Sequence, residues 1–244
     1  KITGLAFATA NRGGDHVTAY VQGPTFLASP FLVVEESEIE DPLQENPKEA
    51  KVVKEMEDAL TIFDAAGCCK FMGMTLDTQE WSAIIAALTG WDFGVEEFRK
   101  TGERIYNLER AFNVREGQSR ADDTLPKRLL EEPLPEGPAA GHVVNLEVLL
   151  EAYYKYRGWD EHGRPTEEKL RELGLEELIV VVHGTVSPLQ EIVRRKVREL
   201  PTSGEVQSSK SEAKVTVGDK PWLDSYFIGP FKLEHTMKPY PEEN

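Results

Sequence analysis

Between Pro47 and Ala66 the apolar residues Val52, Val53, Met56, Ala59, Leu60, Ile62 and Phe63 recur every three or four positions, the period of a helix buried along one face. Gly67 stops it. Asp77 or Thr78 caps a second helix, with Glu80 placed to reach back to Asp77, and Trp81, Ile84, Ile85 and Leu88 as the buried face before Gly90. A third runs from about Val95 to Val114, with Phe98, Ile105, Leu108 and Phe112 on one stripe. The stripes Val52/Met56/Leu60/Phe63, Trp81/Ile84/Ile85/Leu88 and Ile105/Leu108/Phe112 are expected to share one core, since each helix must bury its apolar face against another. Asn145 caps a fourth helix, Leu146 to Tyr156, followed by Gly158, and Thr166 opens a fifth that ends at Gly174.

Elsewhere the pattern changes. Ile2 to Ala10 is apolar and runs into Asn11-Arg12-Gly13-Gly14-Asp15-His16, where paired glycines let the backbone turn or approach a ligand closely. Val17 to Val34, broken by Pro24 and Pro30, predicts short irregular pieces, and the acidic run from Glu35 to Glu45 an exposed loop. Four prolines between Arg120 and Gly141 forbid a long helix and favour an extended crossing segment. After Leu178, the β-branched run Ile179 to Val182 predicts a strand, Ser187 to Leu200 a helix, Ser203 to Lys214 a mobile polar loop, and Val215 to Val217 and Tyr226 to Ile228 short strands. No internal repeat is visible.

Composition narrows the function classes. With 244 residues, 40% hydrophobic and 29% charged, the chain has material for a packed core. A net charge of −15 argues against a general nucleic-acid or anionic-membrane binder, which needs a basic surface. No apolar run approaches the roughly 18–20 residues that span a bilayer, and two cysteines make no disulfide framework, so a reducing, cytoplasmic setting is expected. Lys1, standing where an initiator Met would, predicts a fragment or a processed chain.

Both cysteines lie in Asp64-Ala65-Ala66-Gly67-Cys68-Cys69-Lys70-Phe71. Neighbouring Cα atoms sit about 3.8 Å apart, too close for a relaxed disulfide. From these residues alone two readings stand: a thiolate ligand beside a carboxylate acceptor, or two small apolar residues packed at a helix end.

Several stretches occur together in order: Asn11 to His16, Asp64 to Cys69, Gly90-Trp91-Asp92-Phe93, Gly102 to Asn107, Asp122 to Arg128, Glu131 to Pro138 and Tyr153 to Trp159. Over residues 2–178 the chain resembles the C-terminal part of the tungsten-containing aldehyde ferredoxin oxidoreductase family. The resemblance implies a mainly α fold, a multihelical C-terminal domain over residues 1–178; it does not extend over 179–244, where the elements read from the residues make a small α/β extension of unknown family.

It also implies an enzyme that holds tungsten, or in some relatives molybdenum, between two pterins beside a [4Fe–4S] cluster. Such an enzyme oxidises aldehydes to carboxylic acids with ferredoxin as acceptor. The family motif Asp-x-x-Gly-Leu-Cys falls on Asp64 to Cys69, which makes Cys69 a cluster ligand, Asp64 a pterin contact and Cys68, in place of the usual Leu, a backbone contact to pterin. Arg12 corresponds to another pterin contact and His16 to the proton-handling histidine near the metal, a role suited to a side chain that titrates near neutrality. Thr18 stands where aldehyde-oxidising relatives often carry a Lys. The remaining histidines, His142, His162, His183 and His235, are expected to be surface or structural.

A [4Fe–4S] cluster normally takes four thiolates, and this chain has two cysteines, side by side. The resemblance therefore implies partners: missing N-terminal and middle domains of the same enzyme that complete the cluster and pterin sites, ferredoxin, and a small aldehyde. It leaves a homodimer open. The competing expectation is a non-catalytic relative or fragment that acts as a structural or assembly partner.

Overall fold

The structure, a computed structural model, describes residues 1–21, 43–71 and 76–184. Eight α-helices occupy these residues: α1 (Ile2–Thr9), α2 (Glu49–Ala66), α3 (Thr78–Thr89), α4 (Val95–Glu116), α5 (Lys127–Glu131), α6 (Leu146–Arg157), α7 (Glu167–Glu172) and α8 (Ile179–His183). Two isolated β-bridges, Leu134 with Ala140 and Trp159 with Pro165, are the only extended pairings among them. The fold is mainly α, as expected. The predicted elements at 187–200, 203–214, 215–217 and 226–228 lie outside the described residues, as does most of the acidic run.

α2 is the axis of the core. Its stripe Val52, Val53, Met56, Leu60, Ile62 and Phe63 is buried, and it packs against α4, α6 and α1. Phe63 meets Trp81 of α3 edge to face, with ring centroids 4.8 Å apart. Asp77 caps α3 through the reciprocal bonds expected with Glu80: the Glu80 amide donates to Asp77 Oδ1 at 2.8 Å, and the Asp77 amide donates to Glu80 Oε2 at 2.9 Å. α2 ends at Gly67 in the left-handed conformation, with φ 69°. Its amide donates to Asp64 O and that of Cys68 to Phe63 O, a Schellman closure that turns the two cysteines out of the helix.

Several expectations need correction. Ile2–Thr9, for which the sequence predicted no element, is a helix, and it is apolar all round because it is surrounded: Ile2, Leu5, Ala6, Ala8 and Thr9 are buried. The run at Ile179 is helical, not a strand. It continues from a 3₁₀ turn at Glu176–Leu178 and buries Val182 with Ala111, Leu170, Leu173 and Leu175; this packing overrides β-branched propensity. Asn145 precedes α6 but its side chain caps nothing.

The shared stripe also fails in part: Ile84, Leu88, Leu108 and Phe112 are exposed. The buried face of α4 is rotated onto Phe98, Gly102, Tyr106, Asn107, Arg110 and Ala111. Half of those residues are polar or glycine, so hydrophobicity alone points to the wrong stripe.

Buried charges around the core are held by buried partners. Arg157 Nη2 lies 2.6 Å from Glu57 and Arg157 Nη1 pairs with Asp58. Tyr153 donates to Glu57 at 2.6 Å, and Thr9 to its other oxygen at 3.3 Å. Burial pushes the Glu57 carboxyl up, against the pull of Arg157 and Tyr153. A second pair, Arg110 with Asp123, is bidentate at 2.8 and 2.6 Å and joins α4 to the crossing segment. Breaking such a pair from one side leaves a charge stranded in the core.

Candidate functional site

Loop 10–20 leaves α1 and crosses to the C-terminal end of α2. Gly13 turns it with φ 95°, and open space surrounds the position a Cβ would take. α4 anchors its start: Asn113 Nδ2 donates to Asn11 O at 2.6 Å, Asn11 Nδ2 to Tyr106 O at 3.0 Å, and Tyr106 Oη to Thr9 O at 3.0 Å. Asp15 then folds the loop back on itself, accepting the Val17 and Thr18 amides on Oδ1 at 2.5 and 3.0 Å and Arg12 Nε on Oδ2 at 2.5 Å. Desolvation pushes the Asp15 carboxyl up, but the bonds from Arg12 and the two amides outweigh it and hold it below its ordinary value. The same pairing raises Arg12 despite its own desolvation.

The loop meets α2 through charge. Arg12 Nη1 donates to Asp64 Oδ2 at 3.4 Å, across 52 positions of sequence. Lys70 Nζ lies 2.7 Å from the same oxygen and donates to Val17 O at 3.1 Å. Tyr20 packs edge to face on Phe71, with centroids 5.9 Å apart, in a left-handed backbone conformation with φ 44° that bulky residues seldom adopt. His16 sits 6.5 Å from the Tyr20 ring, is exposed, and makes no side-chain hydrogen bond among the described residues.

The structure thus brings Arg12 and Asp64 into contact and sets the loop that carries His16 against the segment that carries the cysteines. Cys69 is exposed and free; Cys68 is half-buried, packs against the core and lies 3.8 Å from Ala66 O. Two site residues escaped the sequence reading, Lys70 and Glu109. Glu109 accepts from Asn11 Nδ2 at 3.2 Å. Burial and then the nearby Asp64 charge raise its carboxyl, against the Asn11 bond and the cations Arg12 and Lys70. A lysine next to cysteines reads as a solvated residue; only its partners across the fold reveal it.

A groove of about 760 Å³ opens on one side of the loop, lined by Phe7, Asn11, Gly13, Gly14, Asn113 and Leu125 among others. Arg12, His16, Asp64 and Cys69 are not among its walls. Among the described residues no three His, Cys, Asp or Glu side chains are arranged to hold a metal ion by themselves, and no helix is long and apolar enough to cross a membrane.

Chemically the cluster offers an outward thiol, an unfixed imidazole, two cations and a carboxylate. Oδ2 of Asp64 already takes two donors, and Oδ1 has none among the described residues. That donor set suits one edge of a larger group whose remaining ligands lie elsewhere. A lone thiol serves a cluster only as one of several, and an open carboxylate oxygen accepts N–H groups.

Residues 1–175 match the family described as aldehyde ferredoxin oxidoreductase, domains 2 and 3. A tungsten-containing aldehyde ferredoxin oxidoreductase of Pyrococcus abyssi is 47% identical over 177 residues, 72% of this chain and 28% of the relative. Proteins of the same description from Pyrococcus horikoshii and Pyrococcus furiosus are 45% and 43% identical, each again matched over 28% of its own length. The chain therefore spans little more than a quarter of the length of these relatives.

Proposed function

Since the chain belongs to the aldehyde ferredoxin oxidoreductase family, we propose that it forms part of a tungstopterin, iron–sulfur oxidoreductase that converts aldehydes to carboxylic acids and passes electrons to ferredoxin. In the overall reaction an aldehyde and water yield the acid, two protons and two electrons. The bound tungstopterin and cluster would supply the two-electron oxidation and the outward electron path.

This chain's own residues do the rest. Asp64 accepts N–H donors of the pterin, with the backbone at Cys68 beside it. Arg12 places a fixed positive charge at the same edge. Cys69 provides one thiolate of the cluster, and the other three come from parts of the enzyme outside this chain. His16, with no hydrogen bond holding its ring among the described residues, is free to take a proton from the reacting centre and give it to water.

The observation that carries this reading is the junction of Arg12, Asp64 and Lys70, at 3.4 and 2.7 Å, immediately before which the outward Cys69 stands. Local structure gives no reason for residues 52 positions apart to meet at a helix end beside a free thiol. A shared ligand does.

The test is made in the full-length enzyme. Cys69→Ser is expected to lose the EPR signal of the reduced cluster together with its iron and sulfide, and Asp64→Asn to lower bound pterin and tungsten. A Cys69→Ser enzyme with undiminished iron, sulfide and EPR signal would remove Cys69 from the site. Unchanged metal, pterin and activity in both variants would leave the chain as a structural or assembly part.

A further inference from the structure

We propose that Lys70 is the positioning residue of this site, the clamp that fixes Asp64 and the His16 loop as one wall; the proposal rests on the cofactor reading above. Four charged side chains meet here, and they differ in burial. Arg12, Asp64 and Asp15 are 49, 41 and 28% exposed, whereas Lys70 is 9% exposed. An exposed pair at 3.4 Å such as Arg12 with Asp64 is held weakly, because water competes for both partners. A largely buried ammonium at 2.7 Å from a carboxylate is held firmly, since leaving it unpaired carries the full cost of its desolvation. Lys70 is therefore the fixed link and Arg12 the exchangeable one.

The second contact gives the clamp its reach. Lys70 Nζ also donates to Val17 O, the carbonyl that follows His16, 53 positions away in sequence. One ammonium thus holds the helix end and the loop at once. It also suits the local field, because the C-terminal end of α2 carries the negative pole of the helix and Asp64 adds a full charge there. Lys70 and Arg12 both pair with Oδ2, so Oδ1 keeps its acceptor capacity unspent among the described residues of a side chain that is 41% exposed. A donor edge arriving at Asp64 finds one oxygen already immobilised and the other open. Rotation of the carboxylate, which would otherwise blur that edge, is stopped by Lys70.

The experiment compares Lys70→Met, which keeps length and removes charge, with Lys70→Arg, in the full-length enzyme before and after cofactor loading. Hydrogen exchange by mass spectrometry reads residues 15–20 in the cofactor-free protein. Lys70→Met should raise exchange there by about tenfold or more, the scale expected for losing a charge-assisted bond, while α2 residues 50–63 keep their protection. Tungsten by elemental analysis and pterin by fluorescence after oxidation should fall several-fold in Lys70→Met and recover in Lys70→Arg. If Lys70→Met does not fold, Lys70→Gln, which retains a donor without the charge, replaces it.

Unchanged exchange at residues 15–20 overturns the clamp, whatever happens to activity. Raised exchange with undiminished tungsten and pterin overturns its connection to the cofactor. The underlying reading fails separately, when Asp64→Asn leaves tungsten and pterin content untouched.

Discussion

Gly102→Ala tests the architecture at its tightest point. A Cβ built on Gly102 stands 2.1 Å from Asp58 O and 2.7 Å from Asp58 C, and real Cβ contacts essentially never fall below 3.0 Å. The obstacle is the backbone of α2, so no side chain can swing aside and the two helices must part by about 1 Å. A gap of that size forfeits a quarter to a half of each dispersion contact across the interface. Overpacking of this kind costs about 1–3 kcal/mol, and a backbone obstacle belongs at the upper end or above. Against it stands the better helix propensity of Ala, about 1 kcal/mol. The net loss is about 2 kcal/mol, which for a domain of this size lowers Tm by about 4–8 °C.

Asp58 also pairs with Arg157 and with Lys54 at 2.9 Å, so the strain reaches the buried charge network as well. Calorimetry of the whole protein is the assay. A Tm equal to or above that of the parent would mean that propensity dominates, and the close crossing of α2 and α4 described above would be wrong.

Two further outcomes follow from the same structure. Asp15, whose carboxyl is held below its ordinary value of 3.8, favours the ordered loop above that pH, and its contribution is lost as pH falls through the depressed value of the folded state; the amide proton shifts of Val17 and Thr18 should therefore move together with a midpoint below 3.8, absent in Asp15→Asn, and a midpoint at or above 3.8 would contradict the assignment. Trp159→Phe removes the Nε1 donor 2.8 Å from Asn107 Oδ1 in the core; the stranded acceptor should cost about 1–3 kcal/mol in urea denaturation, and a loss under about 0.5 kcal/mol would show that the bond carries little of the packing.

The parts of the fold governed by local rules were legible. α2 buries the stripe its apolar spacing marks, and Gly67, Asp77, Glu80 and Gly90 mark the end of α2 and both ends of α3 by capping chemistry. What was not legible depends on partners far along the chain. Arg110 and Arg157 look like solvated charges in sequence but lie buried against Asp123, Glu57 and Asp58, and Arg110 belongs to the buried face of α4, which excludes Leu108 and Phe112. Gly102 within its motif becomes intelligible only when the carbonyl of Asp58 is seen beside it. Of the candidate site, Arg12 and Asp64 were found through the family motif and not through any periodicity. Lys70 escaped because its two partners, Val17 and Asp64, give it meaning and its neighbours do not.

Charge arithmetic at the junction refines what this wall can recognise. A net charge of −15 disfavours anions at long range, yet screening confines such repulsion to about 8 Å at physiological salt, so the local balance decides. Two cations, Arg12 and Lys70, face three carboxylates, Asp15, Asp64 and Glu109. Burial and the nearby Asp64 charge push the Glu109 carboxyl up from its ordinary value. With all three ionised the cluster is one charge negative, and with Glu109 protonated it is neutral; in neither state is a cation in surplus. A phosphate arriving here would have to strip Arg12 or Lys70 from its carboxylate. An N–H edge needs only Oδ1 of Asp64, which is open. On the proposed reading, this wall therefore engages the donor edge of the pterin, and neutralising its phosphate falls to cations carried by the rest of the enzyme. The Thr at position 18, where aldehyde-oxidising relatives often carry a Lys, fits that division.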